Sequence, residues 1–506
     1  MKTPPYIDYK VANLTLDRDQ QASAGNISLS DIVSALSFAL DLTEGAMPGH
    51  SIRTCLLGMR IAEALGLSSD EKSDLYYALL LKDVGCSSNA AHLTEMLGGD
   101  DLKTRRAIRL DDWTRTSWKS LRSAWSGMLP NSSPLAKFRR LVGIVTHRDI
   151  HHQQMIAVRA DRGAKIAIKI GLSDQTAQAI QHLDEHWNGC GYPGKLRGND
   201  IPLASRIANI AQNLDVFYTE QGVHAAIAIL RKRSGRWFDP SLVKLVDALH
   251  LEGNLWSCLG AGEDRDKVLA LDPGLRDPAL SDDAGPARHL GGRAKAIQID
   301  RVCEAFADVV DAKSSYTYEH SLGVTRAAGM IAQQLGLPPD RQQLVYRSAL
   351  LHDIGKLRIP NSILDKPGKL DAGEWQVVRE HPLLTQRILE RIAKFDIIAR
   401  TASQHHERLD GSGYPHGLHA DQLSLEARLI AVADVYGALS EDRPYRPALA
   451  TEEIFSIMSK DVPEKLDRTC FDALRIALKR TGGVVRGANG EILSSQAAMQ
   501  GLSLAL

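Results

Sequence analysis

Apolar residues fall at three- and four-residue steps along most of this chain. The segments DIVSALSFALDL (31–42) and SIRTCLLGMRIAEALGL (51–67) carry Leu, Ile and Ala at that spacing, which predicts helices with one buried face. The pattern holds from Ser28 to about Leu251. It then gives way to a stretch, DPGLRDPALSDDAGPARHLGG, rich in the Pro, Gly and Asp of connecting segments. It resumes at AKAIQIDRVCEAFADVVDA (294–312). Alternating strand patterns are short and rare, so an all-α fold is expected. Residues 1–27 are polar and weakly patterned, and read as an arm.

The chain also repeats itself. LLLKDVGC (79–86) resembles LLHDIGK (350–356), and His50 precedes Lys82 by the same 32 residues that separate His320 from His352. Downstream, the stretch around Gly191-Tyr192-Pro193 overlays that around Gly413-Tyr414-Pro415 without a gap. The register between copies is 270 upstream and 222 downstream, so the first copy holds an insertion of 48 residues. The basic stretch LKTRRAIRLDDWTRTSWKSLRSAWSGMLP fits that insertion. The expected organisation is an arm (1–27), a first helical domain (28–251), a linker (252–294) and a second helical domain (295–506).

Length and composition agree. A chain of 506 residues exceeds a single core. Lys+Arg and Asp+Glu balance at 61 each, so phosphate recognition must be local rather than global. Six scattered cysteines without a CxxC pair fit reduced thiols. No apolar run is long enough to span a bilayer, and no apolar segment follows the N-terminal Lys as in a signal peptide. A cytoplasmic location without membrane insertion is expected. No helix-turn-helix pattern suggests direct DNA binding.

The second copy concentrates its chemistry. His320, His352-Asp353, His381, His405-His406 and Asp434 fall on successive helical segments. Imidazoles and carboxylates suit Mn, Fe or Zn-like divalent ions. On a helix, His352 and Asp353 project about 100° apart, so the Asp carboxylate can bridge to a second ion. Lys356, one turn after His352, can reach a phosphate bound there. Arg443 and Arg446 offer planar forks for a phosphate or a guanine edge. Tyr414, in a Gly-flanked loop, can stack on a base, although DGSGYP also reads as a plain tight turn.

The motifs HDxGK (His352, Asp353, Gly355, Lys356), HHExxDGxGYP (His405 to Pro415) and ADxxxAL…DRPYR (Asp434 to Arg446) strongly resemble the HD-GYP family of metal-dependent phosphohydrolases. The resemblance implies a helical bundle holding two or three metals and hydrolysis of cyclic di-GMP to pGpG or GMP by a metal-activated hydroxide. It assigns ligand roles to His320, His352, Asp353, His381, His405, His406 and Asp434, and a catalytic part to Asp353 and Lys356. Three-metal members place a Glu one turn before the first His. Here that position is Tyr316, so a two-metal centre, Fe or Mn, is expected. A phosphohydrolase of another nucleotide and a non-catalytic scaffold are the alternatives.

The first copy keeps His50 and Asp83. Lys82 stands for His352, Cys86 for Lys356, Leu183 for His405, Asp184 for His406 and Gln212 for Asp434, with Arg159 near the His381 position. A Lys in place of a ligand puts a cation where a metal must bind, so this copy is expected to be non-catalytic and kept for packing against the second copy, a homodimer or a signalling partner. HLDEH (182–186) matches the zinc-protease pattern HxxEH, but the repeat reads it as exposed polar residues before a turn.

Overall fold

The computed structural model describes residues 28–89, 148–260, 264–272, 292–314, 320–442, 446–480, 485–486 and 492–493. The arm, the basic insertion, Tyr316 and Arg443 lie outside the described residues. Among the described residues the fold is helical apart from one antiparallel pair, Val485–Arg486 with Ile492–Leu493, beyond the expected C-terminal helices.

The first copy comprises α1 (Leu29–Thr43), α2 (His50–Ala64), α3 (Ser69–Leu81), α4 (Arg148–Ile170), α5 (Asp174–Gln181), α6 (Leu203–Gln221), α7 (Val223–Arg233) and α8 (Pro240–Leu251). Local chemistry sets the starts. Ser28 and Asp31 form a reciprocal capping box at α1, and Ser68 and Glu71 form another at α3. The expected linker contains a short helix, α9 (Asp264–Ala270), which packs on α1 and α2. There Val268 is buried and its carbonyl accepts from the Tyr76 hydroxyl at 3.2 Å.

The second copy follows with α10 (Gly292–Asp311), α11 (His320–Gln334), α12 (Pro339–Leu351), α13 (Ala372–Arg379), α14 (His381–Leu389), α15 (Asp396–Ser403), α16 (Leu425–Ser440), α17 (Thr451–Met458) and α18 (Arg468–Arg480). One lock recurs in both copies. Ser51 donates its N–H (3.0 Å) and hydroxyl (2.6 Å) to Asp41, and Ser321 does the same to Asp311 (3.0 and 2.7 Å). Each lock fixes the start of the helix that opens on His50 or His320. Burial pushes the carboxyl of Asp41 up to about 6 and that of Asp311 to about 7.

The copies share one apolar core. It runs from Ile32, Val33 and Leu36 of α1 through Phe306 of α10 to Leu350, Ile354, Leu357 and Ile388 of the second copy. α1 packs directly on the turn Ile354–Arg358 and on α14, while α10 packs on α4. Lys169 pairs with Asp308 at 2.7 Å, and the Arg391 guanidinium lies 4.3 Å from the Phe38 ring. α11, α12, α16, α17 and α18 enclose a second core. No helix among the described residues is long and apolar enough to cross a membrane.

Candidate active site

Helix ends deliver most of the site. His320 and His381 are the first residues of α11 and α14, His352-Asp353 follow α12, His405-His406 lie just beyond α15, and Asp434 is on α16. All seven predicted ligands converge. Asp353 lies between two groups: its Oδ2 is 3.6 Å from His320 Nε2 and 3.3 Å from His352 Nε2, while its Oδ1 is 3.3 Å from His381 Nε2 and 3.7 Å from His405 Nε2. Asp434 Oδ1 approaches His320 Nε2 at 3.4 Å, and its Oδ2 approaches His406 Nδ1 at 3.7 Å.

The backbone sets the direction of the lone pairs. His352, His381 and His405 each direct Nδ1 at the carbonyl three residues earlier, at 2.6 Å. A proton on Nδ1 makes Nε2 an acceptor, and these three Nε2 atoms face the Asp353 carboxylate. Burial, reinforced for His405 by His352, depresses His381 and takes His405 to about 3, so both rings are neutral at pH 7. Burial likewise holds His406 well below the usual range. Burial alone would raise Asp353 and Asp434, but neighbouring imidazoles, and for Asp353 also Lys356, hold both well below the ordinary carboxylate range. Two acceptors, His352 Nε2 and Asp353 Oδ1, are buried without a hydrogen-bond partner. Buried orphaned acceptors are costly unless something electropositive joins them. Burial would lower His320, but the carboxylates of Asp434 and Glu441 raise it to about 9. The neutral rings of His381, His405 and His406, the ionised carboxylates and the orphaned acceptors fit divalent cations.

The sequence does not show the part that several supporting residues play. Glu441 accepts from His320 Nδ1 at 2.9 Å, the carboxylate that orients a metal-bound imidazole. Gly355 has a positional reason: a Cβ there would fall 2.1 Å from the His381 carbonyl oxygen. Its N–H donates to Thr385 Oγ1 (3.0 Å), which in turn donates to the His352 carbonyl (2.9 Å), so the HDxG turn is bolted to α14. Glu407 braces the GYP loop by accepting from the N–H groups of His416 (2.7 Å) and Leu418 (3.0 Å).

Lys356 is partly exposed and donates to Asp353 Oδ2. Tyr414 stands at the mouth, its ring 4.7 Å from the His406 ring. Arg446 was expected to face substrate. Its guanidinium instead donates to the carbonyls of Ala438, Leu439 and Pro447, closing the end of α16.

The first copy fills the same space with its own cations. The Lys82 ammonium lies 2.9 Å from His50 Nε2 and pairs with Asp83. Arg159 occupies the His381 position, since a Cβ on Gly85 would meet its carbonyl oxygen at 2.0 Å as one on Gly355 meets that of His381. Arg159 pairs with Asp184, the counterpart of His406. Asp215 binds both His50 Nδ1 (2.6 Å) and Arg53 Nε (2.6 Å). Donor atoms of Glu44, Asp83 and Cys86 also lie within 4.8 Å of one another, and Lys82 supplies that group with its cation through Asp83. The HLDEH residues are not exposed polar positions: Glu185 and His186 are buried. Both Glu185 oxygens accept loop N–H groups, from Gly194 and Leu196, as those of Glu407 do. This carboxylate is a loop brace and not a protease base.

A family model described as HD domain matches residues 145–242 and 304–470. The chain is 40% identical over 454 residues to the 3′3′-cGAMP-specific phosphodiesterase 3 of Vibrio cholerae, covering 89% of this chain and 94% of that one. It is 40% identical over 153 residues to the cyclic di-GMP phosphodiesterase response regulator RpfG of Xanthomonas campestris, 30% of this chain and 40% of that one. A crystal structure of the V. cholerae cyclic GMP-AMP-specific phosphodiesterase V-cGAP3 superposes with a TM-score of 0.59 at 37% identity, covering 89% of this chain and 97% of that one. Helical bundle and donor set together define an HD-domain phosphohydrolase. The chain belongs to the HD-GYP family of phosphodiesterases, with a second, altered copy of the domain ahead of the one that carries the motifs.

Proposed function

We propose that the second copy hydrolyses a guanine-containing cyclic dinucleotide to its linear form, with 3′3′-cGAMP the preferred substrate. The observation that carries this reading is Asp353, whose two oxygens face opposite groups of imidazoles. Such a carboxylate suits a shared ligand between two divalent ions, Fe or Mn by donor type. His320, His352 and Asp434 would hold one ion, and His381, His405 and His406 the other. Ions bound there would supply a water of lowered pKa and neutralise the phosphate.

Hydrolysis adds the water oxygen to phosphorus, breaks the bond to the 3′-oxygen and delivers a proton to that leaving oxygen. Lys356, one side chain from Asp353, is placed to offset phosphate charge or to protonate the leaving oxygen. Glu441 holds the His320 ring, and Arg443 is a candidate contact for the second phosphate by residue type. The first copy, residues 28–251, is a non-catalytic support.

The preference for 3′3′-cGAMP rests on the V. cholerae relative matched along almost its whole length. Cyclic di-GMP, the substrate expected from the motifs and named for the shorter Xanthomonas match, is the second reading. Metal-loaded protein assayed with each dinucleotide, with products separated by chromatography, decides between them. Linear product from 3′3′-cGAMP at the higher kcat/KM supports the first. Turnover of neither removes the function.

A further inference from the structure

Just before the metal-facing His381, the short helix α13 carries a large aromatic residue that the core does not use. Trp375 is 47% exposed. Arg379 lies four residues on, hence on the same helix face, and is also exposed. Both reach the mouth of the site. Trp375 meets the Tyr414 ring edge-on with centroids 6.4 Å apart, and the Arg379 guanidinium lies 4.8 Å from the same ring. The helix is held at its start by an Asp371–Glu374 capping box, and Glu374 also pairs with Lys366 at 2.5 Å. The ledge is therefore fixed before any ligand arrives.

Tyr414 itself is poorly placed to take a base by stacking, because its ring already touches the His406 ring and the Arg379 guanidinium. Of the described side chains against the Tyr414 ring, Trp375 and Arg379 are the exposed ones.

We propose that Trp375 and Arg379 form the specificity-determining platform that takes one guanine of the cyclic dinucleotide, the indole stacking on the base and the guanidinium donating to its O6 and N7. An Arg fork matches that pair of acceptors on guanine, whereas adenine presents a donor at the corresponding position. The platform discriminates guanine-bearing cyclic dinucleotides from cyclic di-AMP, and it rests on the cyclic-dinucleotide reading given above.

The test compares full-length, metal-loaded wild type with Trp375→Ala, Trp375→Phe and Arg379→Ala on 3′3′-cGAMP, cyclic di-AMP and bis(p-nitrophenyl) phosphate, which has no purine. Stacking of one base on an aromatic side chain is worth about tenfold or more in affinity. Trp375→Ala should raise the KM for 3′3′-cGAMP by about that factor with kcat kept, and Trp375→Phe should restore most of it. Arg379→Ala should narrow the ratio of kcat/KM between 3′3′-cGAMP and cyclic di-AMP by about tenfold. An unchanged KM, or an unchanged ratio, overturns the platform. So does an equal loss on bis(p-nitrophenyl) phosphate, or loss of bound metal, since either means a structural role. Failure of the functional reading is seen separately, in a wild type that cleaves bis(p-nitrophenyl) phosphate but no cyclic dinucleotide, and the platform falls with it.

Discussion

Lys82→Met removes the internal cation of the first copy while keeping most of its volume. The Lys82 side chain is 1% exposed and that of Asp83 is 5% exposed, so the pair is screened by protein and not by water. Deleting one partner of a buried pair costs about 3–5 kcal/mol, because the other charge is left behind. His50 Nε2 loses its donor as well. Proton uptake by the Asp83 carboxylate, which loses its buried ammonium partner, limits the loss. Protonating an acid of ordinary pKa costs about 4 kcal/mol at pH 7 and about 1.5 kcal/mol at pH 5. The folded variant then binds a proton that the unfolded chain does not, so its stability falls as pH rises. Denaturant midpoints measured at pH 5 and pH 8 should show a small deficit at the lower pH and one of several kcal/mol at the higher. Equal midpoints for variant and wild type at both values, or a deficit that does not grow with pH, would refute the view that Lys82 stands in for a metal.

Lys356→Ala should retain metal and lose about 10²–10³ in kcat, the usual worth of a preorganised charge at a developing anion; metal loss measured by elemental analysis would reassign it to structure. Glu441→Gln removes the carboxylate from His320 Nδ1 and should weaken metal retention about 10–100-fold, read by competition with a chelator; unchanged retention would leave Glu441 no role in the centre. Asp41→Asn addresses a fully buried carboxyl raised to about 6. A raised acid penalises the fold as pH climbs from about 4 through 6, on the order of 3 kcal/mol once fully ionised. The variant should therefore gain on wild type in thermal scans at pH 8 relative to pH 4, and a constant difference between the two would count against it.

The ligands were legible because each is a rare residue type at a spacing that the second copy shares with a known motif, and because the first copy shows what the same helices look like without them. His352 and Asp353 were expected on a helix, but they lie in the turn just past α12, with Asp353 outside helical backbone geometry. Glu441 was not legible, since its partner lies 121 residues away and only the packing of α16 against α11 brings them together. Glu407 and Glu185 stand in conspicuous motifs, yet they work on backbone N–H groups of their own loops, a use that residue type alone does not reveal. Arg446 looked like a substrate contact because an Arg fork suits phosphate, but it suits three carbonyls at a helix end equally well. The short helix Asp264–Ala270 is hidden in a stretch whose Pro and Gly signal a linker, and it forms because Val268 finds a place in the core between α1 and α2.

The central claim is that Asp353 joins two divalent ions in the second copy while the first copy binds none. Metal content per chain, measured on anaerobically purified wild type and on Asp353→Asn, tests it most directly. Two ions in the wild type and near-complete loss of both in the variant are predicted, because the amide loses the negative charge and turns an NH2 toward one of the two donor groups. Retention of both ions by Asp353→Asn, or a total of four in the wild type, would contradict it.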